Sequence, residues 1–375
     1  MELQGAHTRT QERWIQGRRL LRPIVQWAFL LLVLVIGGQF ALFVGQLEQA
    51  VEPIVKRPPA VEAFLPISAL ISLKYWVLTG VFNRIHPAGL VLLLVICSLS
   101  LLLKRGFCSW VCPFGLLGDG LERIHILLLR RRLSLPRVLD YPLRSLKYLI
   151  LLFFLWAIFV RMDLGQLEQF IGSPYNRIAD VKMLKFFVEP SKTTVTVVAV
   201  LTGLSLVIPF FWCRYLCPYG ALLGAVSLFS PFKIRRDRQT CVGCQKCSQI
   251  CPARIQVHKA GTVWSDECHA CLRCVDVCPV DRTLRLSAPG GRVPLSKPAY
   301  AAAVILLFAI GVSAARLGGY WRNAISTAEY RAHIAHLDHP AYMHNRGAVP
   351  AYNWEDLGIH DPATAAGGMP RTDRH

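Results

Sequence analysis

Residues 241–252 read CVGCQKCSQICP, and residues 268–279 read CHACLRCVDVCP. Both stretches have the spacing Cys-x2-Cys-x2-Cys-x3-Cys-Pro, in which three thiolates surround one face of an iron–sulfur cubane and the fourth reaches a neighbouring cluster. We therefore expect two [4Fe–4S] clusters, one on Cys241, Cys244, Cys247 and Cys278 and the other on Cys268, Cys271, Cys274 and Cys251. Paired Cys-x2-Cys units also form zinc sites, but two complete runs of this spacing favour the clusters.

Both runs lie in a polar segment, residues 233–290. Its length and spacing predict a small α+β domain of the bacterial-ferredoxin type, built from short strands and helices and inserted between apolar segments. Free thiolates persist in reducing compartments, so this domain is expected in the cytoplasm.

The remainder of the chain is predominantly apolar. Of its 375 residues, 53% are hydrophobic and 17% are charged, which excludes a disordered chain and a small disulfide scaffold. Uncharged stretches predict about five transmembrane helices, the third being short for a span, at residues 24–47, 87–103, 148–160, 193–212 and 298–315. The first follows an arginine-rich segment and lacks a cleavage site, so we interpret it as an uncleaved signal anchor.

Two shorter apolar pieces lie between the first and second predicted spans. Residues 64–73 and 75–82 are separated by Lys74, and we interpret them as half-helices or interfacial segments on the outer face. The fold class expected from all these stretches is an all-α polytopic membrane protein that carries the ferredoxin-like insert.

The basic residues indicate the orientation of the spans. The formal net charge is +19, and with an inner N-terminus the inner segments hold 27 Lys and Arg residues against 15 in the outer segments. Such a bias is typical of bacterial inner-membrane proteins, so the charge does not require a nucleic-acid partner. We expect a lipid-embedded protein whose basic N-terminus, residues 1–23, and ferredoxin domain are cytoplasmic. The tail, residues 318–375, is then periplasmic.

Two further cysteine pairs form an internal repeat. Residues 104–120 read KRGFCSWVCPFGLLGDG and residues 209–225 read PFFWCRYLCPYGALLGA, each with Cys-x3-Cys-Pro close to the end of a predicted span. The core is thus two copies of a helical hairpin, residues 24–147 and 148–232.

The proline after each pair predicts that Cys112 and Cys217 are N-caps of new helices, where the helix dipole should lower the thiol pKa. The helix from Pro113 has an apolar side opposite Glu122 and Arg123, so it should lie along the inner membrane surface. Cys108, Cys112, Cys213 and Cys217 are candidates for an additional redox or metal site. The alternative is that they are small buried residues at helix ends.

Several other polar residues are available as proton acceptors or ligands. We expect His86, His125, Glu122 and Asp163 to be solvated interfacial residues. The tail contains His333, His336, His339 and His344, of which two could share a helix face and bind a metal. Pro340 ends that helix, and solvated histidines are the alternative.

Taken together, these motifs resemble the membrane polyferredoxin family, which includes proteins of the NapH, MauN, NosR and CcoG types. The resemblance covers roughly residues 20–290 and rests on twelve cysteines in register. The chain departs from the NapH type by a fifth transmembrane helix, residues 298–317, and by its tail. It contains no Cys-x-x-Cys-His, so covalent haem is not expected.

The resemblance implies membrane-bound electron transfer. Quinol, or another membrane-soluble donor, would exchange electrons with the Cys-x3-Cys-Pro region and the two clusters, and a respiratory or periplasmic reductase would be the protein partner. Such a chain would be the electron-transfer component of a quinol-dehydrogenase type system. An assembly factor that reduces copper or a thiol for a respiratory complex is the alternative, because the Cys-x3-Cys-Pro thiolates are soft ligands suited to Cu(I). A redox sensor or structural anchor without turnover is a third hypothesis.

Overall fold

The computed structural model describes residues 2–343 except 131, 132, 134 and 292, together with residues 352 and 354. Residues 2–19 and 137 are described by their backbone alone. The described chain divides into two compact units. The first unit consists of the described residues within Met1–Leu34, Leu92–Trp156 and Ser191–Ala314, and the second of those within Val35–Val91, Ala157–Pro190 and Ala315–His375.

Most of the described residues are helical. The α-helices are α1 Glu2–Glu48, α2 Pro66–Thr79, α3 Pro87–Leu103, α4 Gly106–Trp110, α5 Pro113–Leu129, α6 Arg137–Leu155, α7 Leu164–Gly172, α8 Pro174–Arg177, α9 Ala179–Val188, α10 Lys192–Val207, α11 Pro218–Ser227, α12 Lys246–Gln249, α13 Arg273–Asp276, α14 Lys297–Leu317 and α15 Thr327–Ala335. Trp156–Arg161 and Trp212–Leu216 are π-helical, and Pro59–Phe64, Pro289–Gly291 and Pro340–Tyr342 are 3₁₀ segments.

Side-chain caps fix where several of these helices begin. The Asp163 side chain accepts a hydrogen bond from the Gln166 backbone N–H at 2.8 Å, and the Gln166 side-chain oxygen accepts one from the Asp163 backbone N–H at 3.1 Å. Ser191 caps α10 by accepting a hydrogen bond from the Thr194 backbone, and Ser326 caps α15 by accepting one from the Glu329 backbone. Each cap satisfies a backbone N–H that has no partner within the helix. Asp163 is exposed, as expected, but its role at this point is structural.

Within the described part of the chain, three helical segments are long and apolar enough to cross a membrane: Leu20–Glu48, Val138–Arg161 and Lys297–Leu317. The consecutive helices α9 and α10 pass the same test only as a bent pair, and α3 is apolar but has 17 residues. The short third stretch of the sequence is therefore extended on its N-terminal side into a segment of 24 residues. The total of five spans stays a prediction.

The region between the first and second predicted spans differs from the expectation of two pieces. A single helix, α2, runs through Lys74, because the Lys74 amino group donates hydrogen bonds to the carbonyls of Ile158, at 3.0 Å, and Met162. Backbone carbonyls thus solvate the charge that was expected to interrupt the helix.

The insert between α11 and α14 forms a small antiparallel sheet with short helices. Strand β1, Lys233–Arg236, pairs with β2, Leu284–Ser287, so that Lys233 lies opposite Ser287. Strand β2 also pairs with β3, Pro294–Leu295. Each cysteine motif contains one short helix, which begins two residues after the second cysteine of the motif: α12 follows Cys244, and α13 follows Cys271. This sheet lies in the first unit, together with the Cys-x3-Cys-Pro repeats.

The core of the first unit joins the repeats to the insert. Trp110 is buried and donates a hydrogen bond from Nε1 to the Ala270 carbonyl at 3.0 Å. Tyr300 of α14 packs against Trp110 and donates its hydroxyl to the Leu103 carbonyl at 2.7 Å. Because both aromatic side chains are buried and hydrogen-bonded, they fix the position of the insert against the first repeat.

The second unit contains a buried polar network. Arg57 donates to Asp180 at 2.7 Å and to Glu62 at 2.9 Å, and Asp180 also accepts from the Tyr330 hydroxyl at 3.0 Å. His86 is fully buried, with Nε2 2.6 Å from the Asn176 carbonyl. The expectation that His86 is solvated was therefore wrong, since the surrounding helices bury it with polar partners.

The tail histidines that the structure describes have separate contacts. His333 is buried, with Nδ1 2.6 Å from the Tyr342 hydroxyl and Nε2 3.5 Å from Glu329. His336 contacts the Ala332 carbonyl, and His339 accepts a hydrogen bond from the Ala341 backbone. His344 lies outside the described residues.

Candidate functional site

Four cysteines of the insert line one small cavity. They are Cys241, Cys244 and Cys247 of the first motif and Cys278, the last cysteine of the second. Gly243 and Gln245 have positive φ angles, +71° and +61°, and turn the chain around the cavity before α12 begins. A hydrogen bond from the Gly243 backbone, with another from Arg236, lowers the pKa of the Cys241 thiol. These groups favour the thiolate that an iron ligand requires.

The second cavity of the insert repeats this arrangement. It is lined by Cys268, Cys271 and Cys274, together with Cys251, the last cysteine of the first motif. Leu272 has a φ of +60° before α13, as Gln245 has before α12. Burial raises the pKa of Cys251 to about 12 and that of Cys274 well above its usual range, and neighbouring thiols add to both shifts. Metal binding at these thiols would therefore release protons.

The structure thus brings together two sets of four thiols, and each set takes its fourth member from the other motif. The sets are close to each other, because Cys247 of the first set packs against the buried core that contains Cys274 of the second. Four thiols around one cavity fit a [4Fe–4S] cluster in number and ligand type. In the described part of the chain, no three His, Cys, Asp or Glu side chains are placed to hold a single metal ion. Cluster binding by these residues stays a prediction.

The Cys-x3-Cys-Pro motifs begin helices as expected. Cys112 is the N-cap of α5 and Cys217 that of α11, where the Cys217 thiol accepts a hydrogen bond from the Gly220 backbone at 3.2 Å. The expected lowering of their pKa was wrong. Burial and the nearby Cys108 thiol raise the pKa of Cys112 to about 12 and that of Cys217 above its usual range. Desolvation outweighs the helix N-terminus at both positions.

The four Cys-x3-Cys-Pro thiols form a third group. Burial, together with the nearby thiols of Cys217, Cys112 and Cys108, raises the pKa of Cys213 well above its usual range, and Cys108 and Cys213 line the same cavity. The close approach of α5 to Cys108 requires glycine at position 115, because a Cβ atom there would lie 2.0 Å from the Cys108 carbonyl oxygen. The repeat therefore places both motifs at one location in the first unit.

A buried cation accompanies this third group. The Arg105 guanidinium donates a hydrogen bond to Cys108 Sγ at 3.3 Å and another to the Asp266 carbonyl at 3.4 Å, and it lies 3.7 Å from Glu267. Our sequence reasoning did not select Arg105. Its position directly after a predicted span and three residues before a motif cysteine was the available signal.

His269 connects the third thiol group to the insert, and it too was not selected from the sequence. It lines the second cavity of the insert, with Cys251, Cys268 and Cys271, and it also lines a separate cavity beside Cys108 and Cys213. Burial, together with the charges of Arg105, Arg22 and Arg273, lowers the pKa of His269 well below its usual range. Among the described residues, its Nδ1 has no hydrogen-bond partner. The ring is therefore a neutral group between two sets of thiols.

Helix α5 presents its apolar side outward, as the sequence predicts. Leu117 is 53% exposed and Leu127 is 78% exposed, whereas Glu122 is 3% exposed and His125 is 1% exposed. The expectation that Glu122 and His125 are solvated was wrong, because the polar side of α5 packs into the first unit. His125 contacts the Leu206 carbonyl at 2.7 Å and accepts a hydrogen bond from the Leu133 backbone at 3.0 Å.

Comparison with protein families agrees with the repeat and the insert. A family model described as a 4Fe-4S binding domain matches residues 85–136 and 193–237, so it covers both Cys-x3-Cys-Pro motifs. A second, described as a 4Fe-4S dicluster domain, matches residues 233–279.

Curated proteins that are similar include a putative electron transport protein, YccM, of Escherichia coli (strain K12). It is 43% identical over 284 residues, which are 74% of this chain and 79% of that protein. The ferredoxin-type protein NapH of the same strain is 30% identical over 187 residues, 48% of this chain and 60% of NapH. The regulatory protein NosR of Pseudomonas aeruginosa is 31% identical over 188 residues, 46% of this chain and 24% of NosR. No solved structure was found to match the chain.

Proposed function

Because the chain belongs to the membrane polyferredoxin family of the NapH and NosR type, we propose that it passes electrons between the quinone pool and a respiratory or periplasmic reductase. An iron–sulfur electron-transfer role is supported by its relatives and by its two matched 4Fe-4S domains. The observation that carries the proposal is the presence of three thiol groups within one unit, two of them next to each other.

The cysteines of the insert would hold two [4Fe–4S] clusters. Cys241, Cys244, Cys247 and Cys278 surround one cavity, and Cys251, Cys268, Cys271 and Cys274 surround the other. A bound cluster of this kind takes up and releases one electron at a time. The protein's contribution is to keep the two ligand sets adjacent and to exclude water from the second set, in which Cys271 and Cys274 are buried, whereas Cys244 of the first set is exposed.

The Cys-x3-Cys-Pro thiols would form a further redox or metal centre. Arg105 places a positive charge beside Cys108 and Cys217, which offsets the negative charge that thiolate ligands bring into a buried site. The cavity beside Cys108 and Cys213 and the second cavity of the insert share three lining residues, Pro252, Ala253 and His269. Only these few residues therefore lie between the further centre and the second proposed cluster.

The membrane topology is part of the proposal. Five spans, a cytoplasmic insert and a periplasmic tail follow from the distribution of basic residues in the sequence. Reporter fusions after residues 240 and 330 test it, since an inner-membrane protein of this topology gives cytoplasmic reporter activity at the first position and periplasmic activity at the second. The reverse pattern would contradict the orientation.

A redox assembly factor that reduces copper or a thiol is a second candidate function. The observation that favours it is the grouping of four soft thiol ligands outside the ferredoxin insert. Cu(II) added to protein whose iron–sulfur clusters have been reduced would accept one electron per copper from them, become Cu(I) and be retained in amounts that depend on Cys108 and Cys213. Rapid reduction of the iron–sulfur centres by quinol, with no copper retained, supports electron transfer from the quinone pool.

A further inference from the structure

A large cleft opens in the first unit beside the second cavity of the insert. Its volume is about 860 Å³, and its walls come from the N-terminal part of the Leu20–Glu48 segment, from α5 and from the region around α13. Cys271 lines both this cleft and the cavity that it shares with Cys251, Cys268 and Cys274. A ligand in the cleft would therefore contact the wall of a proposed cluster site.

The outer part of the cleft is apolar. Trp27 is 62% exposed, and Phe114 and Leu117 are about half exposed. Trp27 belongs to a segment long and apolar enough to span a membrane, and Leu117 belongs to the outward apolar side of α5. In a membrane protein, such a surface contacts lipid. The cleft is thus accessible to a lipid-soluble molecule.

The inner part of the cleft contains a compact network of charged side chains. Asp119 accepts hydrogen bonds from Gln26 at 3.0 Å, from Arg273 at 2.5 Å and from Arg22. Arg273 also donates to Glu122 at 2.5 Å. Two carboxylates and two guanidinium groups balance each other, and Lys297 nearby pairs with Asp276 at 2.5 Å. Paired charges of this kind favour a neutral polar ligand over an anionic phospholipid headgroup.

We infer that this cleft binds a quinone, with its ring next to Asp119, Glu122 and Cys271 and its isoprenoid tail along Trp27 and Leu117. The inference rests on the proposed function and adds the location of the quinone site. A volume of about 860 Å³ lies within the usual range for small-molecule sites. Gln26 and the two arginines supply N–H donors for the quinone oxygens.

The redox step balances with groups that the proposal names. When one quinol is oxidised to the quinone, two O–H bonds break, and two electrons and two protons are released. The two [4Fe–4S] clusters that the cysteines of the insert would hold would accept one electron each. The Asp119 and Glu122 carboxylates receive the protons, which then pass to water at the exposed edge of the cleft.

Photolabelling with an azido-ubiquinone tests the location without measuring activity. On the membrane-embedded protein with its clusters, we expect cross-links to peptides that contain Trp27, Leu117 or Cys271, and competition by decylubiquinone. Labelling confined to other segments would overturn the inference, and so would a phospholipid that co-purifies in the cleft and prevents labelling.

A substitution that fills the cleft provides the second test. Gly120 lines the cleft, and a Cβ atom at this position meets no other atom within 4 Å. Gly120→Trp should abolish the labelling and slow cluster reduction by decylubiquinol at least tenfold, while dithionite still reduces the clusters. Gly203→Trp is the matched control, because Gly203 has equally open space but lies on α10 outside the cleft. Equal labelling of both variants would contradict the inference.

Glu122→Gln separates proton transfer from binding. The amide keeps a hydrogen-bonding group next to Arg273 but accepts no proton, so we expect retained photolabelling and about 100-fold slower reduction by quinol. An unchanged rate would remove Glu122 as the proton acceptor. Failure of the proposed function gives a different result, in which the wild-type clusters form and respond to dithionite but never to quinol.

Discussion

The Nε atom of Arg105 donates a hydrogen bond to Cys108 Sγ over 3.3 Å, in a part of the first unit where Arg105 itself is 3% exposed. Burial disfavours the charged guanidinium, but the Cys108 thiol and Glu267 raise the pKa of Arg105 above its usual range. A permanent positive charge therefore lies beside the Cys-x3-Cys-Pro thiols. This charge would favour the thiolate forms that the proposed redox or metal centre requires.

Arg105→Gln should weaken metal binding at this third thiol group. Loss of a charged hydrogen-bond partner next to metal ligands costs about 10- to 100-fold in metal affinity. Metal analysis of anaerobically purified protein should show less metal beyond that of the two ferredoxin clusters, whose EPR signals stay unchanged. Arg238→Gln, at an exposed arginine of the same unit, is the control. Equal metal content in the two variants would argue against the role of Arg105.

The crossed arrangement of the insert predicts which substitutions act alike. Cys241→Ala and Cys278→Ala should remove the same EPR signal, because these residues line one cavity. Cys251→Ala and Cys268→Ala should remove the other signal. If Cys251→Ala instead abolished the same signal as Cys241→Ala, each motif would hold its own cluster and the crossed ligation would be wrong.

Gly115 should tolerate no side chain. Its Cβ atom would lie 2.0 Å from the Cys108 carbonyl oxygen, so Gly115→Ala must push α5 away from the Cys108 backbone. We expect a loss of about 1–3 kcal/mol in the free energy of unfolding and less metal at the third thiol group. Gly120→Ala in the same helix meets open space and should stabilise by about 0.5–1 kcal/mol. Thermal unfolding compares the two, and equal midpoints would contradict the predicted clash.

The second unit should lose stability in acid through Glu329. Burial acts to raise the pKa of this carboxyl, but the hydrogen bond with His333 and the charge of Arg177 outweigh it and lower the pKa below 4.5. Since the folded pKa is depressed, the stabilisation is present above pH 4.5 and is lost as pH falls through the folded value.

Glu329→Gln should therefore lower the midpoint temperature of thermal unfolding at pH 7. In this variant the midpoint should also fall less between pH 5 and pH 3 than in the wild type, as measured by tryptophan fluorescence. Glu52→Gln, at an exposed ion pair with Arg331, should change neither quantity. A wild-type midpoint that falls no more steeply than that of Glu329→Gln would count against this interpretation.

The sequence predicted those features that depend on local spacing. The grouping of Cys241 with Cys278 and the N-cap positions of Cys112 and Cys217 follow from motif and proline geometry within a few residues. The outward apolar side of α5 follows from its helical periodicity.

Features that depend on tertiary burial were not predicted. Glu122 and His125 are polar residues on an amphipathic helix, and nothing local indicates that their side of the helix packs against protein instead of water. The raised pKa of Cys112 has the same origin, because desolvation by distant segments exceeds the effect of the adjacent helix N-terminus. Arg105 and His269 have functional neighbours only once the repeats and the insert have packed together.

The most direct test of the central claim is EPR spectroscopy of the anaerobically purified protein, with an iron count, before and after addition of decylubiquinol. We predict about eight iron atoms per chain for the two clusters, more if the third thiol group also binds iron, and cluster signals that appear when the quinol is added. A colourless protein without iron, or clusters that dithionite reduces and quinol does not, would contradict the account.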